Sequence, residues 1–159
     1  MYHMKITTAL LADAARVEQG TLYVHRGGWD TIFTPVVPFH HPSMALVVIL
    51  RTEYSEALAD MPVIIDLRDA DETVVPGTPS VKLNVRTGHS PLAVRGDPAF
   101  SPIAVTINSL QLPSYGQFHF SVRSAAEELA TIPLRVAHPQ GAVQPDVTPP
   151  SSPPSPPSR

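Results

Sequence analysis

The sequence predicts an all-β protein, with a compact β-sandwich over residues 1–137 and a disordered tail over residues 138–159. Three observations predict it. Apolar and polar residues alternate along short segments, as in strands with one face in the core and one in water. Turn signals separate these segments about every 8–12 residues, with no convincing long helix between them. Eight of the 19 prolines lie after residue 137, in a segment too poor in apolar residues to join a core.

Strands are predicted wherever the two-residue period is clear, for example at Phe118, Phe120 and Val122. Residues 10–17 also fit a helix, but they follow a β-branched run without a capping residue, so strand and turn are preferred. One helical turn is expected at residues 55–60. The predicted strands are residues 4–12, 20–26, 29–34, 43–53, 61–69, 80–86, 102–109, 116–124 and 129–137.

Two glycines, Gly27 and Gly28, interrupt an otherwise continuous β stretch. Paired glycines at such a place indicate a bulge or sharp bend, which allows one long strand to pass from one sheet to the other. Trp29 follows directly and is expected to fill the core at the bend. The alternative is an exposed recognition patch formed by Trp29 with Arg26 and Asp30.

Residues 44–50 are apolar on both faces of their predicted strand. A single sandwich core covers only one of these faces. A loop, the proline-rich connection or a second subunit is therefore expected to cover the other face.

Composition excludes several classes of protein. The chain has no cysteine, which excludes disulfides, thiolate zinc sites and a cysteine nucleophile. Its net charge of -3, with scattered basic residues, argues against binding to nucleic acid or to an anionic membrane. The longest apolar run is far shorter than the roughly 20 residues of a membrane span, and no secretory signal is recognised. A soluble, cytoplasmic protein is expected.

Two stretches carry a resemblance to known proteins. Residues 9–15 and 20–24, with Gly27-Gly28-Trp29-Asp30, resemble the opening of an uncharacterised family of bacterial proteins, a domain of unknown function best represented in actinobacteria. Residues 110–113 and 116–122, then 133–136, resemble the closing hairpin of immunoglobulin-like sandwiches. The resemblance implies an immunoglobulin-like antiparallel β-sandwich of about eight strands and no catalytic residue. Phe118 stands where that hairpin usually has a tyrosine, so a corner hydroxyl is not expected there.

Acidic residues are densest at Asp66, Asp69 and Asp71, with Glu72 beside them. Clustered carboxylates in sandwich loops bind calcium, which takes about six to eight oxygen ligands. The preferred interpretation is a hairpin turn in which aspartates cap the backbone, with residues 73–75 starting the next strand. Asp66 and Arg68 are expected on the solvent face of their strand.

Other catalytic or cofactor chemistry has no local support. No serine lies in a Gly-x-Ser-x-Gly motif, and the glycine-rich phosphate-binding patterns are absent. The histidines show no metal-ligand spacing and are expected in loops or on solvent faces; they are His3, His25, His40, His41, His89, His119 and His138. No metal, cofactor or catalytic residue is predicted.

The tail ends in Pro-Ser-Pro-Pro-Ser-Arg at residues 154–159, which matches a ligand form of polyproline-reading domains. So many prolines make such a match nearly unavoidable, so a spacer or solubilising tail is preferred. For the whole chain the leading hypothesis is a non-catalytic binding or scaffold module that acts through a sheet face and binds a protein partner or a second copy of itself. The alternative is a small-ligand or calcium-dependent module using the loops at one end of the sandwich, and an enzyme comes last.

Overall fold

A computed structural model describes residues 4–56, 58–78, 80–88, 91–125 and 127–141. Within these ranges the regular structure is strands and two short 3-10 turns, at Tyr54–Glu56 and Pro139–Gly141. The strands are β1 (Lys5–Glu18), β2 (Thr21–Trp29), β3 (Thr31–Phe33), β4 (Phe39–Thr52), β5 (Asp60–Asp69), β6 (Val81–Arg86), β7 (Ala99–Leu112), β8 (Gly116–Ser124) and β9 (Glu127–Ala137).

The strands form two sheets, and the predicted two-sheet all-β sandwich is confirmed. The first sheet has the order β2-β1-β4-β7, and the second has the order β3-β9-β8-β5-β6. Neighbouring strands are antiparallel except β3 and β9, which are parallel. The order β9-β8-β5-β6 is that of the G, F, C and C′ strands of variable-type immunoglobulin domains. In the other sheet β1 lies between β2 and β4, so the immunoglobulin-like assignment stays a prediction.

The core lies between the inward faces of the two sheets. Leu11, Leu46 and Leu50 project from the first sheet and are at most 1% exposed. Phe120 and Leu134 project from the second sheet and are equally buried. Burial of each such side chain contributes about 1.5–3 kcal/mol, so alternation along the strands provides the main force that holds the sheets together.

The second apolar face of residues 44–50 is largely covered within the chain itself. Ala45 and Val47 lie on the face of β4 opposite the core, and both are 0% exposed. Strands β1 and β7 approach within 8 Å between Cα atoms although β4 lies between them. Two lateral spacings in a flat sheet amount to about 9.5 Å, so the first sheet is curled. Val48, in contrast, faces the core and is 3% exposed.

The predicted bend at Gly27 and Gly28 is confirmed. Leu11 pairs with Trp29 and Ala12 pairs with Gly27, so Gly28 is the extra residue of a β-bulge. Gly28 has a φ of 91°, which residues with a Cβ rarely adopt. Directly beyond the bulge the chain leaves the first sheet at Trp29 and joins the second sheet at Thr31. Trp29 is half-buried and packs against the core, as expected.

Some element boundaries differ from the prediction. β1 continues to Glu18, and the residues of its turn, Gln19 and Gly20, both have positive φ, as in a type I′ hairpin. β4 and β7 begin at Phe39 and Ala99, earlier than the predicted residues 43 and 102, although a proline near the start of a strand is typical of a turn. Pro42 and Pro102 lie where each strand has a neighbour on one side only, and such positions tolerate proline.

Residues 73–75 were predicted to start a strand, which is wrong. Val74 forms only an isolated bridge with Arg68, and β6 begins at Val81. The expected tail falls outside the described residues from residue 142 onward, whereas residues 138–141 continue from β9 into a 3-10 turn. None of the helices in the described ranges is long and apolar enough to cross a membrane.

The bulge predicts that Gly28→Ala lowers the free energy of unfolding. A Cβ at Gly28 meets no atom within 4 Å, so the effect comes from the positive φ alone. We expect a loss of about 1–2 kcal/mol in the free energy of unfolding, measured by chemical denaturation. Gly88→Ala is the matched control, because Gly88 has equal space and no positive φ in the left-handed range. An equal loss in both variants would contradict a role for the bulge conformation.

Candidate functional site

Aromatic side chains are concentrated at the surface where the chain changes sheets. Four of the ten Phe, Tyr and Trp residues line two adjoining depressions there. One depression, of about 530 Å³, is lined by Trp29, Phe33 and Phe39 among others. The second, of about 470 Å³, is lined by Phe33 and Tyr115. We call the two depressions together the seam groove, since both lie along β3 and share Thr31 and Phe33 in their walls.

Phe33 forms the ridge between the two depressions. It belongs to the walls of both, and 55% of its surface is exposed. Single exposed apolar residues are common, but exposed aromatic side chains grouped around a depression mark a candidate binding surface.

The backbone of β3 also faces the groove. Asp30 accepts a hydrogen bond from the backbone N–H of Arg135 (2.7 Å), and the N–H of Thr34 donates to Ala137 (3.0 Å). Successive residues of a strand direct their peptide groups to opposite sides, so those of Thr31 and Phe33 point away from β9, toward the open edge. This edge can hydrogen-bond to an extended chain.

One end of the groove is a cluster of aromatic rings that meet at steep angles. The ring of His41 lies 6.3 Å from that of Trp29 and 6.1 Å from that of Phe39, measured between centroids. Burial among these rings lowers the pKa of His41, although a backbone hydrogen bond at Ser43 and the charge of Asp13 act in the opposite direction. The uncharged imidazole is therefore favoured near neutral pH. The Trp29 Nε1 atom is buried and has no acceptor among the described residues.

The charged residues of this end are paired. Arg26 Nη1 lies 3.4 Å from Asp13 Oδ2, and both side chains remain well exposed. Arg26 has a φ of 48° and directly precedes the two glycines of the bend. An ion pair as exposed as this one contributes little to the stability of the fold. Its main effect is that the positive and negative charges at the rim of the groove cancel.

The other end of the groove is formed by Tyr115 and His138. The Tyr115 hydroxyl donates to the carbonyl of Thr34 (3.0 Å), which ties the β7–β8 turn to the end of β3. The ring centroids of Tyr115 and His138 lie 6.1 Å apart. Position 118 has no hydroxyl, and Phe118 is buried in the core. The hydrogen bond from a tyrosine hydroxyl to a backbone carbonyl is made by Tyr115 instead.

The sequence suggested part of this site. The proposed patch of Trp29, Arg26 and Asp30 is brought together only in part, because Asp30 accepts hydrogen bonds from the Thr31 hydroxyl and from Arg135 instead of lining the groove. Phe33, Phe39 and Tyr115 were not predicted as site residues. A signal for Phe33 was available in the sequence. It is the neighbour of the buried Ile32 in a strand, so its side chain lies on the opposite, exposed face.

Asp66 does not lie on an open solvent face, as was expected, but is buried. It is 4% exposed, and its Oδ2 lies 2.6 Å from Arg123 Nη2 and 3.7 Å from Arg68 Nη2. The Ser80 hydroxyl donates to its Oδ1. Burial acts to raise the pKa of Asp66, but the hydrogen bonds and the two guanidinium groups outweigh it, so the pKa lies below its usual value. The residue is the centre of an ion-pair cluster on the outer face of the second sheet.

Asp69 forms the turn that the sequence predicts. Its Oδ1 accepts hydrogen bonds from the backbone N–H groups of Asp71 (2.9 Å) and Thr73 (3.0 Å). Asp66 is thus held by arginines, and Asp69 caps the backbone of the turn. Within the described part of the chain, no three His, Cys, Asp or Glu residues are arranged to hold a metal ion.

The Asp66 cluster predicts a stability loss in Asp66→Asn. The neutral amide removes the charge opposite Arg123 and Arg68, whose Nε atoms are already buried without an acceptor among the described residues. We expect a loss of about 2–3 kcal/mol in the free energy of unfolding. Asp71→Asn, at an exposed turn position, is the control and should change it by less than about 0.5 kcal/mol.

The same cluster predicts how this difference depends on pH. Because the pKa of Asp66 is lowered in the folded state, its contribution is present above the unfolded carboxyl pKa of about 3.9. It is lost as the pH falls through the lower folded pKa. The difference in unfolding free energy between wild type and Asp66→Asn should therefore be constant from pH 7 to about 5 and shrink below about 4. A difference that grows on acidification would contradict this assignment.

Comparison with known proteins supports an uncharacterised family. No curated protein matches the chain. The profile of a family of unknown function, DUF6941, matches residues 7–137, from the third residue of β1 to the last residue of β9. The resemblance to an uncharacterised domain family is thereby confirmed. Since the match covers most of the chain and nearly the whole sandwich, the chain belongs to the DUF6941 family.

Proposed function

We propose that the chain is a non-catalytic, cytoplasmic binding module that holds an extended, proline-rich segment of a protein in the seam groove. The observation that carries the proposal is the exposed ring of Phe33 where two aromatic-lined depressions meet. The site lies at the edge of the second sheet, beside β3, rather than on the sheet face that the sequence suggested. A chain without cysteine fits a reducing compartment.

The chemistry of the groove suits a polyproline-type ligand. Such a segment has three residues per turn, no internal hydrogen bonds and a preformed shape, so little conformational entropy is lost on binding. Its proline rings pack between aromatic side chains such as Phe33 and Tyr115. Its free carbonyls need donors, and the exposed guanidinium of Arg135 lines the groove beside Phe33.

The lining supports binding more than catalysis. The groove walls are mainly aromatic and aliphatic, and the acid among them, Asp13, is paired with Arg26. His41 lies against two rings, in a setting that disfavours its charged form. Stacking and a few directed hydrogen bonds are the expected interactions.

The test is a titration of the full-length chain with decaproline, followed through the fluorescence of Trp29, the only tryptophan. The chain's own prolines after residue 141 are first replaced, so that decaproline is the only proline-rich segment in the sample. This seven-serine variant carries Pro145→Ser, Pro149→Ser, Pro150→Ser, Pro153→Ser, Pro154→Ser, Pro156→Ser and Pro157→Ser.

We expect a saturable change in Trp29 emission that Phe33→Ser weakens about tenfold or more, as for loss of an aromatic anchor. Phe100→Ser is the matched control, since Phe100 is similarly exposed (60%) on β7 but lines another depression. The proposal fails if decaproline changes neither the emission nor the amide NMR spectrum up to about 1 mM, where the binding free energy is only about 4 kcal/mol. Equal weakening by both substitutions would place the peptide elsewhere.

A further inference from the structure

We propose that the chain's own proline-rich segment, residues 142–159, occupies the seam groove and covers it until a partner's proline-rich segment displaces it. This inference rests on the proposed function and names the resident ligand of the same site. The chain's own segment and the partner's segment then compete for the groove.

The first argument is where the described chain ends. β9 ends at Ala137, which pairs with Phe33, the last residue of β3. Because the two strands are parallel, both end on the same side of the sandwich. His138 lines the groove, with its ring 6.1 Å from that of Tyr115. The chain then turns in the 3-10 segment Pro139–Gly141. The described chain therefore ends at residue 141, three residues beyond a side chain of the groove wall.

The second argument is length and composition. The segment has 18 residues, seven of them proline, and its sequence favours the polyproline conformation. At about 3.1 Å per residue it extends to roughly 56 Å. A sandwich of this size has a radius of gyration of about 14 Å, so the segment is long enough to reach every part of the groove. Its single acidic and single basic residues, Asp146 and Arg159, cancel, so the acidic domain does not repel it.

The third argument is the effect of tethering. A ligand joined to its site by a short linker has an effective concentration in the millimolar range. An intrinsic dissociation constant of about 0.1 mM, weak for a free peptide, would then leave the groove about ten times more often covered than open. The exposed ring of Phe33 is covered without any need for a tight complex.

The first experiment compares decaproline binding to the wild-type chain and to the seven-serine variant. We expect the wild type to bind about tenfold more weakly, and acrylamide to quench its Trp29 emission less efficiently. Equal affinity and equal quenching would overturn the inference while leaving the proposed function intact. Failure of decaproline to bind either protein would overturn the proposed function, and the inference with it.

The second experiment locates the segment directly. The chain has no cysteine, so Ser155→Cys gives a unique position for a nitroxide spin label, and Trp29 gives a single indole N–H resonance. We expect the label to broaden that resonance, to the same extent when the protein is diluted tenfold, and added decaproline to reverse the broadening. The same label in the seven-serine variant should leave the resonance sharp. Broadening that disappears on dilution would show that the occupant is a second copy of the chain, and unbroadened wild-type spectra would place the segment elsewhere; either result overturns the inference.

Discussion

One run of chain, from Thr21 to Phe33, belongs to both sheets, and the relative position of the sheets depends on this sharing. The first part pairs with β1, and the last three residues pair with β9. The change of sheet needs a local reversal of backbone curvature, which the bulge at Gly28 provides through its positive φ. The same bend leaves Trp29 at the margin of the core and Phe33 in water. The groove is thus a by-product of how one strand closes the sandwich.

A second constraint acts on the outer face of the second sheet. Strands β5 and β8 carry Asp66, Arg68 and Arg123 on the face away from the core, where a polar surface is ordinarily open to water. The approach of the loop residue Ser80 buries the carboxylate, and burial of a charge is tolerated only because two guanidinium groups lie against it. The cluster fixes the loop that precedes β6. It is therefore a folding device, with a position that the sheet register determines.

The strands and the bend were predictable from sequence because they follow from the two-residue period and the paired glycines. Boundaries at prolines were less predictable, because whether a strand tolerates Pro42 or Pro102 depends on which neighbour it lacks, and pairing is not local information. The burial of Val47 follows from curling of the sheet, and that of Asp66 from a distant serine and arginine. Only Trp29 and Arg26 of the groove were foreseen, because Phe39 and Tyr115 join them solely through the fold.

The parallel pairing of β3 with β9 has a mechanical consequence. The chain beyond Gly141 continues from β9, a strand that hydrogen-bonds to β8 on one side and β3 on the other. A pull applied to the end of β9 runs along the strand, so the hydrogen bonds on both sides resist it together in shear instead of opening one after another. Force applied at the end of β9 therefore loads two rows of hydrogen bonds at once.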